Sequence, residues 1–212
     1  MRLKHLLRTA LTAFTLLLWT GVGWGQTTIN FDSDGNWIQD MGVSGLTSYG
    51  DHAYSESGVT IQGTNVVRNS NSDQDGFPGA LGTYSMRIKN ASGAKAVITI
   101  STGGVSTFSI DVRRWDGSPV PDYTVKYSLN GGVDWVDLTN IDGNLLTSSD
   151  WFTYNGTINS DVDNIQIEIA NTGTTERLMI DDFVWSEYSG GSSNDADSYV
   201  DATGVTQPIG GD

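Results

Sequence analysis

Between Thr27 and Tyr188 the chain repeatedly alternates apolar and polar residues in short runs broken by Gly, Ser, Asn and Asp. Alternation with period two sends successive side chains to opposite faces of a strand. It predicts strands at Thr27–Phe31, Gly58–Gly63, Tyr84–Asn90, Ala94–Ser101 and Val105–Arg114. The same pattern continues at Tyr123–Leu129, Asp134–Leu138, Trp151–Asn155, Asn164–Ala170 and Arg177–Glu187. In Val105–Arg114, Phe108, Ile110 and Val112 share one face while Ser109, Asp111 and Arg113 share the other. Ile165, Ile167 and Ile169 repeat this against Gln166 and Glu168. Asn130-Gly131-Gly132, lying between two such runs, predicts a hairpin, because Asn and Gly accept the positive φ of tight turns. No stretch of this region carries sustained helical periodicity with caps at both ends. The expected class is all-β: a two-sheet antiparallel β-sandwich of jelly-roll type.

The last run, Thr174 to Tyr188, closes the module. Leu178, Ile180, Phe183 and Trp185 supply its apolar surface, with Asp181 and Asp182 in its middle. Neighbours on a strand face opposite ways, so one of these carboxylates is expected inward or at a sheet edge. From Ser189 the pattern gives way to a Gly/Ser/Asp-rich linker over 189–199. Residues 200–212 read as a disordered tail or the start of a further domain.

The opposite end changes the picture of location. Arg2, Lys4 and Arg8 precede an apolar core from Leu11 to Trp19, and Gly23-Trp24-Gly25 offers a small-x-small site. This reads as a signal peptide over 1–25, and the apolar run is shorter than the roughly 20 residues a membrane span needs. The expected mature protein is therefore secreted or at the cell surface, with no span left after cleavage. The leader holds three of the eleven basic residues and none of the twenty-five acidic ones, so the net charge moves from -14 to -17 when it is removed. Such a surface disfavours nucleic acid and anionic membranes, whose affinity comes from clustered Lys and Arg. Cysteine is absent, which excludes disulfides, thiol catalysis and zinc–thiolate sites.

Candidate chemistry is sparse. His52 is the one histidine after the leader, and no Gly-x-Ser-x-Gly elbow, phosphate loop or His-Glu-x-x-His is present. His52 reads as an exposed or capping loop residue, and the chain as a non-enzyme. Two loops alternate oxygen donors around glycine: Asp32 and Asp34 before Gly35, and Asn71, Asp73 and Asp75 before Gly76. Calcium takes six to eight oxygens, so a structural Ca2+ is one reading of each, and an Asx-rich turn is the other. Asp182 would join Asp32 or Asp34 if the first and last strands are neighbours. Among the tryptophans, Trp115 is the best candidate for an exposed ring on which a sugar could stack, with Arg113, Arg114 and Asp116 beside it to bond hydroxyls.

Several segments together resemble a β-sandwich accessory module of secreted multidomain bacterial surface proteins. They are Phe31 to Trp37, Ser57 to Ile61, Gly76 to Gly79 leading into Tyr84 to Ile88, Phe108 to Trp115, Tyr127 to Gly132 and Ile180 to Phe183. In this order they are similar to the galactose-binding-like jelly-roll domains that end in an Ile-Asp-Asp-Ile type strand, over residues 27–188. The resemblance implies a non-catalytic module that binds a glycan or another surface component or supports a downstream domain, and the expected state is a monomer. The alternative is the N-terminal portion of an exported hydrolase: a nuclease, protease or glycosidase.

Overall fold

Alternation becomes pairing in a computed structural model, which describes residues 27–71, 79–116, 122–146, 150–173, 176–190, 198–200 and 206–208. The leader-like segment lies outside them. Two sheets form the sandwich, and every strand pair in them is antiparallel. The first strands are β1 (Thr27–Ile29), β2 (Trp37–Ile38), β3 (Ala53–Glu56), β4 (Val59–Thr64) and β5 (Val66–Ser70). Then come β6 (Tyr84–Ile88), β7 (Lys95–Ile100), β8 (Val105–Arg114), β9 (Tyr123–Ser128) and β10 (Val136–Asp137). The module closes with β11 (Phe152–Ser160), β12 (Ile165–Asn171) and β13 (Leu178–Ser186).

Sheet A runs β11-β8-β13-β6-β5, with β1 also on β13; sheet B runs β10-β9-β12-β7-β4-β3-β2. From β6 onward successive strands fall alternately in sheet A and sheet B, apart from the short hairpin β9–β10. The pairs are β6 with β13, β7 with β12, β8 with β11 and β9 with β10. That is one long hairpin rolled up on itself, the definition of a jelly roll. Its tip is the Asn130-Gly131-Gly132 turn, where Gly131 and Gly132 sit at φ 70° and 85°. The Ser128 hydroxyl accepts from the Gly132 N–H at 2.9 Å, and Asn130 Oδ1 accepts from the Asp134 N–H at 2.9 Å.

The core is what the alternation dictated. Phe108, Ile110 and Val112 of β8 meet Ile165, Ile167 and Ile169 of β12 and Ala96, Ile98 and Ile100 of β7 between the sheets. Fully burying one such aliphatic side chain contributes about 1.5–3 kcal/mol. Phe31, Trp37 and Tyr54 pack as an aromatic trio with centroids 5.1–5.8 Å apart, and the Trp37 indole donates to the Phe31 carbonyl at 2.9 Å.

In β13 strict alternation fails. Leu178 and Ile180 point into the core, and so do Phe183 and Trp185, two positions of opposite parity. A bulge reconciles them: Asp181 pairs with Asp111, but the next pair on β8 is Val184 with Ser109, so β13 carries one extra residue. Asp182 sits there at φ 39°. Bulged strands place such a residue in the left-handed region, which Asp tolerates better than most side chains. Both pairs of apolar side chains thereby face the core, and Asp181 faces out of sheet A.

The residues 198–200 and 206–208 pair as a separate two-stranded antiparallel sheet. Among the described residues no helix is long and apolar enough to cross a membrane.

Candidate functional site

The outward face of sheet A carries the chemistry. On β6, Met86 and Ile88 enter the core, so Ser85 and Arg87 point away from it. Arg87 stands opposite Val67 of β5 on one side and Met179 of β13 on the other, and Met179 in turn stands opposite Arg113 of β8. One row across the sheet therefore holds two arginines. The β5–β6 edge holds a cleft of ≈ 250 Å³, lined by Asn69, Arg87 and Trp115 from the outward face, by Arg68 and Tyr84 from the alternate positions on the Met86 side of the edge, and by Thr47 from the preceding loop. The Arg68 guanidinium lies 4.1 Å from the centre of the Tyr84 ring, and that of Arg87 lies 4.0 Å from the Trp115 ring.

Trp115 is placed differently from the expectation. It is only 4 % exposed. Arg87 covers the ring at 4.0 Å, Arg177 lies 5.8 Å from it, and the Trp115 backbone N–H donates to the Arg177 carbonyl at 3.0 Å. The loop position after β8 was expected to leave the ring exposed. The extension of pairing towards Arg177, and the outward Arg87 on the next strand but one, close over it instead. Trp115 is thus the wall and anchor of the cleft, not an open stacking platform.

Its expected companions are also engaged. Arg113 is fully buried. Asp116 accepts from the Arg177 backbone N–H at 2.9 Å and forms a forked ion pair with the Arg177 side chain. Burial pushes the Asp116 carboxyl up, but those Arg177 bonds outweigh it and hold the group below its usual value. The reciprocal bond from Asp116 raises Arg177. Arg114, half-buried, ends β8 opposite Leu178. Asp116 and Arg113 are therefore committed within the fold rather than aimed at a ligand's hydroxyls. The structure adds Arg87, Arg68, Tyr84 and Asn69, which the sequence reading did not single out. The available signal was an arginine at a polar position of an otherwise apolar strand in a strongly acidic chain.

His52 is buried, not exposed. Its Nδ1 accepts from the Asp40 N–H at 3.0 Å and Nε2 lies 2.8 Å from the Ser48 carbonyl. An acceptor at Nδ1 leaves the proton on Nε2, which donates to Ser48. Asp40 fastens the same loop by accepting from the N–H groups of Asp51 and Gly42, and these bonds lower its carboxyl below the usual range. The imidazole is a loop clasp with both nitrogens occupied.

The acidic residues converge at the other end of the same face. Asp181 is fully buried and accepts from the N–H groups of Leu81 and Asp182, each at 2.9 Å. Burial, with the Asp182 and Asp32 charges adding to it, pushes its carboxyl up to about 8. Asp32 Oδ1 accepts from the N–H groups of Thr83 at 2.6 Å and Tyr84 at 3.0 Å. Asp182 is raised by burial, then by Asp111 and Asp32. The Asp34 carboxylate is ion-paired with Arg68, which turns it away from this group. Asn71 donates its N–H to the Thr83 carbonyl, while Asp73 and Asp75 lie outside the described residues. Among the described residues no group of three or more acidic or histidine side chains is arranged to hold a metal ion.

The bulge gives a direct test of this crowding. Asp182→Gly removes a non-glycine residue from positive φ and one of the mutually repelling carboxylates. In chelator it is expected to stabilise the fold by up to about 1 kcal/mol, the size of the left-handed penalty. A lower melting temperature for the variant would show that the side chain holds the bulge.

No protein-family model matches the sequence, and no curated protein does. Solved structures with a similar course of chain include the CBM22-1 xylan-binding domain of Paenibacillus barcinonensis Xyn10C. It is 13 % identical at a TM-score of 0.46, with 78 % of this chain and 95 % of that chain covered. A family 35 carbohydrate-binding module from an environmental isolate is 21 % identical at a TM-score of 0.40, over 59 % and 87 %. The K2 cleaved adhesin domain of Lys-gingipain is 14 % identical at 0.42, over 76 % and 89 %.

Proposed function

We propose that this chain is an exported, non-catalytic carbohydrate-binding β-sandwich module. One observation carries the reading: the cleft at the β5–β6 edge is lined by Tyr84 and by the Arg87–Trp115 stack together with polar groups from Asn69, Thr47 and Arg68. Saccharides present apolar C–H faces and a dense array of hydroxyls, and a concave site mixing aromatic carbons with a few fixed polar groups matches both. Export is supported by the leader-like segment, and a non-catalytic role by the engagement of His52 in the loop it clasps. The hydrolase alternative has no comparable observation behind it.

A structural calcium ion is proposed beside Asp32 and Asp182. Calcium readily takes backbone carbonyls as ligands, so two side chains plus main chain would serve.

Affinity electrophoresis against a panel of neutral and acidic polysaccharides tests the glycan reading. Retention by at least one polymer is expected, weakened about tenfold or more in Tyr84→Ala, since one lost aromatic and polar contact set is worth about 1–2 kcal/mol. Free migration of the folded wild type through every polymer would sink the reading.

A further inference from the structure

After the leader-like segment the chain has eight basic residues: Arg68, Arg87, Lys89, Lys95, Arg113, Arg114, Lys126 and Arg177. Two sit on sheet B in ion pairs, Lys95 with Glu168 and Lys126 with Asp137. The other six lie on or next to strands of sheet A, whose β5–β6 edge holds the cleft. Arg68 and Arg87 line it. Arg113 and Arg114 lead into Trp115, Arg177 lies against the Trp115 ring, and the Lys89 ammonium is 5.3 Å from the Tyr49 ring beside Arg87. In a chain with a net charge of -14 this gathering of cations is a strong departure from the average surface.

The cations are not equally satisfied. Arg177 is paired with Asp116 and Arg68 with Asp34. Arg87 has no ion pair among the described residues, and its buried Nε has no hydrogen-bond partner there. It rests between two aromatic faces, 4.0 Å from Trp115 and 5.6 Å from Tyr49. Stacking fixes the guanidinium plane and leaves the Nε–H unpaired, because donors lie in the plane and ring contacts lie above it. Burial above all, and then the nearby Arg177 charge, disfavour that cation, while Tyr49 and Asp116 partly offset them. A partly buried guanidinium with no ion pair and an unpaired N–H has a charge-assisted hydrogen bond still to give to an incoming anion.

We propose that the cleft takes a carboxylate-bearing saccharide, with the Arg87 guanidinium, held on Trp115, receiving the carboxylate and Tyr84 with Asn69 and Thr47 meeting the sugar. This rests on the glycan reading above and narrows it to uronic-acid polymers. The acidic remainder of the surface does not prevent this: at about 0.1 M salt charges beyond about 10 Å are screened, while a contact inside the cleft is not.

The test compares uronic-acid polymers, such as polygalacturonate, alginate and hyaluronan, with the same polymers after carboxyl reduction. Poly-L-glutamate serves as a non-saccharide anion, and binding is read by titration calorimetry on the full chain. At least one native uronan is expected to bind about 10–100-fold tighter than its reduced form, the worth of a charge-assisted hydrogen-bonded contact. Arg87→Gln should erase that preference, and Arg87→Lys, which keeps charge but not the fork, should recover part of it. A melting curve confirms that each variant is folded, and Lys126→Gln on the far sheet should leave the preference unchanged. Equal binding of native and reduced polymers, or an unchanged preference in Arg87→Gln, overturns this inference and leaves the glycan reading standing. Poly-L-glutamate binding as tightly as the uronans, or no polymer binding in either form, overturns both.

Discussion

Trp115→Ala is expected to lower the unfolding free energy by about 3–5 kcal/mol, the usual cost of truncating a buried tryptophan. Urea denaturation followed by far-UV circular dichroism would register it as a lower midpoint with little change in slope. The size follows from burial: the indole is 4 % exposed and lies against Arg87 and Arg177 at once. Removing it leaves a hole at the end of β8 and frees Arg87 to swing away from the cleft, so ligand binding falls together with stability. Trp115→Phe should keep most of the packing and a weaker ring face for Arg87. Wild-type stability in Trp115→Ala with selective loss of binding would instead make the ring a ligand contact and not a structural anchor.

Asp181 yields the second large effect, on pH dependence. Its carboxyl is pushed up to about 8 in the folded state by burial and by its acidic neighbours, against about 3.9 when the chain is unfolded. Between those values the folded state binds the proton more tightly than the unfolded state does. The stabilising contribution is therefore complete below pH 4 and is lost progressively as pH rises through 8. In chelator the melting temperature is expected to fall across that window, by an amount worth several kcal/mol if the group ionises unpaired. Asp181→Asn should flatten this part of the profile, because the amide still accepts from the Leu81 or Asp182 N–H without a charge. Millimolar calcium at pH 8 should restore stability to the wild type if an ion sits beside Asp32 and Asp182, since a ligand of the folded state raises its stability. A flat profile in the wild type would mean that Asp181 finds a compensating partner.

The architecture was legible because it depends on patterns that survive without tertiary context. Val105–Arg114 appears with the same bounds in the chain and in the structure, since five alternations between core and surface fix its register. What escaped were the short elements. β3, Ala53–Glu56, has two consecutive buried residues and shows no alternation. β5, Val66–Ser70, likewise opens with two buried valines and then turns polar, because its pairing face is shared between the core and the cleft. The bulge was hidden for another reason. Ile180 and Phe183 both being apolar already implied an extra residue, but strict period two had been extended through Asp181 and Asp182. As a result one of the two carboxylates was expected inward or at a sheet edge, whereas Asp181 is buried on the outer side, accepting from the Leu81 N–H.

The site was less legible. The sequence pointed to Trp115 and its neighbours as an exposed group, yet the exposure of a ring depends on what two other strands place above it. Arg87 and Arg177 are 28 residues before and 62 residues after Trp115 in sequence, and only the pairing of β6, β13 and β8 brings them together.

The position of β13 also sets the order in which this molecule can come into being. It is the last strand of the sandwich, yet it lies in the middle of sheet A, between β8 on one side and both β6 and β1 on the other. Until Leu178–Ser186 has been made, the two halves of that sheet have nothing to join them. Their edges stay open and the apolar faces of β6 and β8 remain wet. Contacts this distant in sequence form slowly, on the millisecond-to-second scale typical of all-β chains. A ribosome-bound chain would thus stay unfolded nearly to its final strand, a state from which a leader could still thread it through a translocation pore.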